Sequence, residues 1–579
     1  MCPQNTTTVF GRRQRTLWNR LQAAEILADA EAALALGQSE SAVAARHGVA
    51  RSTLQHWLAR KDRLDSSPAT ADFFESPDGQ ACLHQLVVAA HIEFGQVGAC
   101  GVDRISAFLD RCGLSVFVAS SHGAQHQVSV AIQDLIIRYG QVQREALAGR
   151  MAPGDITACH DETFHPEVCL VAIEPVSDFI LLEAYRQHRD GQTWTEALGA
   201  ALAGLPVRVV QAASDEAKGI LAHIRDGLGA HQAPDLFHMQ HELAKAICRP
   251  LHTLRRAAAA ALTHAQEDTA ASRELKAAYW SNRRPPGRPL AFDLIIERSE
   301  HLQEAARQAH EAAEARCDQA REAVRALSAA YHPCDLTTGA LRTVAELERL
   351  LAGSPTRPQT RWGALSAGFQ VLDRLADEVD LTERHRRRIG KARRIVPKMV
   401  ATLAFWHVSV EHCLAALALA PAVKEAVRTQ LIPGLYLARA ARQARTAAER
   451  RAIRAVSDDL LARARAPDGP LAALSPEERR EVEGVAAHCA GLFQRTTSCV
   501  EGRNGQLALR HHHLHRLADR RLAALTTIHN FYIRRPDGTT AAERFFGLPH
   551  DDLFEWVADR LDLPARPRSR RPLVPAQNV

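Results

Sequence analysis

Three acidic residues stand where acids are costly. The segment VRVVQAASDEAKG (207–219) reads as an apolar strand that ends on Asp215 and Glu216 before a helix begins, and ITACHDETF (156–164) is a strand-like run with Asp161 toward its end. Carboxylates at the ends of buried strands lose hydration unless something satisfies them. If these two strands lie side by side, Asp161 and Asp215 come together, and one must protonate unless a cation sits between them. A divalent ion removes the conflict, and hard oxygen ligands with open positions suit Mg²⁺, or Mn²⁺ in its place. A third carboxylate, Glu501, stands alone in the helical segment SCVEGRN (498–504), where Gly502 lets backbone or a ligand approach closely. With it, two ions roughly 4 Å apart could clamp the attacking and leaving oxygens of an in-line phosphodiester displacement.

Each acid has rivals. Asp155 and Glu162 flank Asp161, Glu216 follows Asp215, and Glu543 in TTAAERFFG competes with Glu501. The tract HHHLH (511–515) has the composition of a metal site, but on a helix its histidines spread around the axis, which favours phosphate or solvent contact. Trp194 reads as a core aromatic, with stacking on an extruded DNA base as the alternative.

The elements that must position these groups follow from periodicity. Residues 156–187 hold three strand-like runs, followed by a helix (TWTEALGAALAGL), the strand at 207–214, a second helix and the short strand APDLFHM. That order predicts a mixed sheet with helices packed on it. From about 239 to 490 the strand signal stops. Residues 302, 306, 309, 313, 317, 320, 324 and 327 step by three or four, the apolar stripe of a long packed helix, and further helices are expected at 341–352, 363–379, 382–418, 422–431 and 437–464. Near the N-terminus, SESAVAARHGVARSTLQHWLARK (39–61) reads as a short helix, a turn at His47-Gly48 and a second helix that presents Arg51, Ser52, Thr53, Gln55 and His56 outward. This is the helix-turn-helix arrangement, and those side chains can bond base edges and phosphates.

Bulk composition is that of a globular protein, 46% hydrophobic and 24% charged, with a formal charge of +6 and a pI near 8.8 that permit a polyanionic partner. Two basic runs, RHRRRIGKARRIVPK (384–398) and RRPPGRP (283–289), are candidates for tracking phosphates. Twelve cysteines occur singly, without zinc-binding spacing, as in a chain kept in a reducing cytoplasm. The N-terminus lacks the apolar stretch of a signal peptide, and the run MVATLAFWHVSV (399–410) is too short to cross a bilayer, so no membrane is expected.

The combination resembles a bacterial insertion-sequence DDE transposase. DETF, VVQAASDEAKG, DLFH and SCVEGRN are similar to motifs of that family, in this order, and IHNFYIRRPDGTTAAERFFG resembles the end of one branch. The resemblance implies a ribonuclease H-like α/β core interrupted by a large all-helical insertion. It implies helix-turn-helix DNA binding over 1–65, a helical connector or second DNA-binding module over 66–150, core over 151–245 and 491–560, insertion over 246–490, and a basic tail over 561–579. Asp161, Asp215 and Glu501 would be the catalytic metal ligands, with two Mg²⁺ or Mn²⁺ ions. Arg503 and Asn504 would touch DNA near the scissile phosphate, Asn504 sharing the face of Glu501. Asp235 and His238, in DLFHM, would be structural or orient the metal-binding groups. The partners implied are double-stranded DNA, both element ends and target, and further copies of the chain, a dimer or larger, on the nucleoid in the cytoplasm. Two other readings stay open: a non-catalytic DNA-binding descendant, and a ribonuclease H-like nuclease that does not join strands.

Overall fold

The computed structural model describes residues 20–61, 68–164, 167–282, 287–342, 361–514 and 517–563. Those residues are mostly helical, around one mixed five-stranded sheet. Helices α1 (Arg20–Ala35), α2 (Glu40–Arg46) and α3 (Arg51–Lys61) share a small core of their own, in which Ile26, Ala30, Val43, Leu54 and Trp57 are buried. Ser39 caps α2 by accepting from Ala42 N, and Gly48 takes a left-handed conformation (φ +63°) between α2 and α3, where an L side chain would be strained. Asp29 of α1 accepts from both Arg46 and His47 and so fixes the turn against the first helix.

Residues 80–148, within the stretch 66–150 expected as a helical connector or second DNA-binding module, are part of the sheet's own packing. Leu83, Val87, Ile105, Leu109 and the buried side of α4 (His122–Ala148) lie in one continuous core with the strands. The strands are β1 (Gly154–Phe164), β2 (Val168–Glu174), β3 (Phe179–Arg186), β4 (Val207–Ser214) and β5 (His231–Pro234), with helix α5 (Gly191–Leu202) between β3 and β4. Spatial order is β3-β2-β1-β4-β5. β1, β2 and β3 form an antiparallel meander, whereas β4 and β5 add parallel to β1. β2 is buried along nearly its whole length, as its unbroken apolar sequence VCLVAIE requires of a central strand covered on both faces.

After β5 the chain leaves this core. Helix α6 (Leu236–Leu243) opens an all-helical block with a second core that runs from Leu236 to Phe493. Its most extended part is an antiparallel pair, α7 (Arg249–Ser281) and α8 (Phe292–Ala330), against which α9 (Arg361–Glu378) packs. The helix expected over 382–418 is two, α10 (Glu383–Arg393) and α11 (Val396–Ala416), the second with Pro397 in its first turn. The one expected over 437–464 is likewise two, because Thr446 and Glu449 form a reciprocal capping box that starts a new helix. The helix expected over 341–352 lies almost wholly outside the described residues; Leu341 itself pairs with Cys334 in an isolated bridge. Glu383–Ala416 is the one described stretch apolar enough by length and composition to span a bilayer, and it has Met399, Leu403, Trp406 and Val410 buried in the second core.

The chain then returns. Helices α12 (Ser498–Leu514) and α13 (Asp519–Phe531) pack on the sheet, α12 over β1 and β2 and α13 over β3, and their buried residues rejoin the first core.

Candidate active site

β1, β4 and β5 are parallel neighbours, and their register is the key to the site. His160 pairs with Ser214, and Ser214 with Pro234, so the next residue on each strand path is an aspartate: Asp161, Asp215, Asp235. Three carboxylates thus lie at one edge of the sheet. β1 continues past Asp161 to Phe164, so Asp161 lies within the strand where β4 has already ended.

Their hydrogen bonds show how each is held. Asp161 accepts from the Glu162 amide (2.8 Å) and Asp215 from the Ala217 amide (2.9 Å), the latter an Asx turn that breaks the chain away from β4. Asp235 is fully buried: one carboxylate oxygen caps α6 through the Phe237 amide (2.8 Å), and the other accepts from Thr497 Oγ1 (2.9 Å). His238, one turn along α6, approaches Asp235 to 3.7 Å and is half-exposed.

Thr497 is the hinge on which the third acid hangs. Its carbonyl accepts from the amides of Val500 and Glu501, so it starts α12. The segment before it is sewn to the sheet: Leu492 O accepts from Thr157 Oγ1 and Gln211 Nε2, and Arg495 O accepts from the Leu236 amide. Glu501 therefore lies in the first turn of a helix anchored on the strands that lead to the aspartates.

Burial pushes Asp161 up to about 7, helped by the negative charges of Asp215 and Asp235 and opposed by the Glu162 amide and His238. Burial also raises Asp235, with His238 and its hydrogen-bond donors opposing. Glu501 is raised by burial first and then by the charge of Asp235, and lowered by His238. Asp235 and His238 thus act electrostatically on both Asp161 and Glu501. Among the described residues no three His, Cys, Asp or Glu side chains converge closely enough to hold one ion as they stand. The donor set fits divalent cations chemically, since crowded, partly buried carboxylates are stabilised by added positive charge; Asp161 and Asp215 would release their backbone amides to provide it.

Other expectations are corrected. Arg503 does not face solvent or DNA: it is buried in a bidentate pair with Glu183 of β3 (2.8 and 2.7 Å), and Glu183 also accepts from Thr526 Oγ1 (2.6 Å). A guanidinium has the fork geometry for a carboxylate; Glu183 in the apolar strand FILLEAYR signals that a buried partner is needed but not which cation supplies it. Asn504 is partly buried with an unpartnered Oδ1. Trp194 is fully buried, ringed by His160 and His223, and its Nε1 donates to Glu162 (3.1 Å), so no base can stack on it here.

The rival acids are occupied. Glu162 also pairs with Arg189, Asp155 with Arg208 at the opposite end of β1, and Glu216 with Lys398. Glu543 caps its own helix through Thr540. On α3, Arg51, Ser52, Gln55 and His56 are exposed and Thr53 half-exposed, on the side away from Leu54 and Trp57; Arg51 and Gln55 both reach Glu40. The basic run at 384–398 is largely neutralised, since Arg386, Arg387, Arg388, Arg393 and Lys398 pair with acids of the same chain. In RRPPGRP residues 283–286 lie outside the described residues, as do the side chains of His511, His512 and His513, His515 itself and the tail from 564.

Residues 427–573, from the end of the helical block through α12 and α13, match a family of unknown function, DUF6399. No curated protein matches the chain. No solved structure matches it either.

Proposed function

We propose that this protein is a DNA transposase of the DDE type, with a ribonuclease H-like core and an inserted helical block. The observation that carries the reading is the placement of Asp161 on one strand and Asp215 just past the end of its parallel neighbour, beside a returning helix with Glu501 in its first turn. Strand order and directions, three antiparallel strands followed by two parallel ones, support the same core.

In this reading Asp161, Asp215 and Glu501 hold Mg²⁺ or Mn²⁺, which when bound stabilises the attacking and leaving oxygens of a phosphodiester displacement. Asp235 keeps α6 and Thr497 in place, and through them Glu501. His238 lends positive charge to the cluster. The exposed face of α3 binds element ends, with Arg51 and Gln55 exchanging Glu40 for phosphate or base edges. The same site then serves cleavage and the joining of the freed 3′-hydroxyl to target DNA. The protein works in the cytoplasm, on the nucleoid.

The test is a plasmid carrying the candidate element ends, incubated with the full chain and Mg²⁺ or with chelator. Metal-dependent nicks at the ends and joined donor–target products are expected. Binding without nicking in any divalent ion would make the protein a non-catalytic DNA binder, and nicking without joined products would make it a nuclease.

A further inference from the structure

Two cysteines meet across a helix contact in the second core. Cys413 stands in the last turn of α11, and Cys489 near the end of the helix Pro476–Leu492 that packs on it. Positions 406 and 413 are about two turns apart, so Cys413 lies on the same face of α11 as Trp406. Trp406 Nε1 donates to the Cys489 carbonyl (2.8 Å), which seats position 489 against that face. Cys489 is fully buried, whereas Cys413 packs on the edge of the core and is open in part to solvent. Neither is in a disulfide.

The contact is chemical as well as steric. Cys413 hydrogen-bonds with the Cys489 thiol and with His488, and the charges of His488 and of the exposed His412 act on it as well. Glu411, two positions before Cys413, is taken up by Arg428. A cysteine that serves only as a small hydrophobe needs neither a second thiol nor an imidazole. The hydrogen bonds from Cys489 and His488 hold Cys413 down to about 5 against the opposing effect of burial, and the same contact, with burial, pushes Cys489 up. One partner is therefore a thiolate that a small solute can reach, and the other a protonated thiol beside it with no exposure of its own. Those are the properties of an attacking and a resolving cysteine.

We propose that Cys413 and Cys489 form a reversible disulfide when the protein meets hydrogen peroxide. The Cys413 thiolate attacks one peroxide oxygen; the O–O bond breaks, Cys413 becomes a sulfenic acid, and the departing hydroxide takes up a proton to leave as water. The Cys489 sulfur then attacks Cys413, the S–O bond breaks as the S–S bond forms, and the second hydroxide leaves with the Cys489 proton as water. The two sulfurs together give up two electrons, and the peroxide oxygens receive them. A dithiol reverses the step by exchange. The bond fastens α11 to a helix whose last residue, Leu492, is held by Thr157 and Gln211 of the sheet. The inference does not rest on the catalytic reading.

The test uses the full chain, reduced, treated with hydrogen peroxide near pH 7, blocked with iodoacetamide and digested with trypsin without reduction. Cuts at Lys398, Lys424, Arg480 and Arg495 put Cys413 alone in 399–424 and Cys489 alone in 481–495. Mass spectrometry should find these two peptides joined, and dithiothreitol should separate them. The joined pair should form about tenfold or more faster than the exposed Cys82, Cys100 and Cys112 are oxidised. Cys489→Ala should leave a sulfenic acid on Cys413 that dimedone traps, and Cys413→Ser should leave Cys489 reduced. Recovery of both peptides alkylated and unjoined, while the exposed cysteines are oxidised, overturns the proposal on the parent chain alone. A parent in which Cys413 advances to the sulfinic acid with Cys489 still free overturns it too, because Cys489 then does not resolve the intermediate.

Discussion

At the residue scale the main result is the electrostatic state of Asp161. Its carboxyl is held at about 7, well above the ordinary range, by burial and by Asp215 and Asp235. A raised carboxyl binds more protons folded than unfolded, so the stability it contributes is full below the unfolded value and is lost as pH rises through the folded one. For the metal-free protein we expect Asp161→Asn to stabilise the fold at pH 8 by on the order of 1–3 kcal/mol, seen as a higher melting temperature, and the gain to vanish toward pH 4. Thermal melts across that window check it; a gain that is constant with pH would show that Asp161 does not titrate there. Mn²⁺ should raise the melting temperature of the parent and fail to do so for Asp161→Asn. In the plasmid assay the same variant, like Asp215→Asn and Glu501→Gln, should lose cleavage by a factor of about 10³ or more while end binding, measured by gel shift, stays within twofold.

At the element scale one buried ion pair and one exposed helix face can be tested separately. α12 is pinned to β3 by Arg503 and Glu183, both buried. Arg503→Met leaves an uncompensated carboxylate and should cost about 3–5 kcal/mol in chemical denaturation, whereas Arg503→Met combined with Glu183→Leu should recover much of that loss. If the single variant costs under 1 kcal/mol, the pair is not what anchors α12. On α3, Arg51→Ala should weaken binding to element ends and reduce the slope of log affinity against log salt by about 1, without changing cleavage of prebound DNA. The sheet was legible in the sequence because each strand announces itself locally: VCLVAIE by unbroken apolar character, VRVVQAAS by the acids that end it. The helix breaks at 394–395 and 443–446 were missed since amphipathic stripes run on across them, although the T-x-x-E of a capping box was present at Thr446. Arg503 was misassigned for a different reason. Its partner lies 320 positions away, and no local pattern reveals that a cation on a helix will meet an acid on a strand.

At the scale of the whole molecule two hydrophobic cores share one site. The first is built from residues on both sides of the helical block and the second from the block itself, and the crossings between them occur at Asp235 and near Thr497. Cation binding should therefore tighten distant segments together. Amide exchange at 161–163, 215–218, 235–239 and 497–503 is expected to slow in concert on adding Mn²⁺, while the α7–α8 pair around Leu302 stays unchanged. Protection limited to one of these segments would mean that they do not form a common site. The sequence foretold the interruption of the sheet region by a helical stretch. It did not foretell that residues 80–148 pack with the strands, because amphipathic helices reveal that they bury a face and not what they bury it against.

The bond between Asp235 and Thr497 joins residues 262 positions apart. Whatever chain lies between them leaves and re-enters through a narrow gate, tied a second time where the Leu236 amide donates to the Arg495 carbonyl. Evolution can then treat the interior of that loop as a replaceable cassette, lengthening it, trimming it or exchanging its α7–α8 pair for another, with little disturbance to the spacing of the acids outside. Variation among kindred chains should accordingly gather inside the cassette and stop at its two posts.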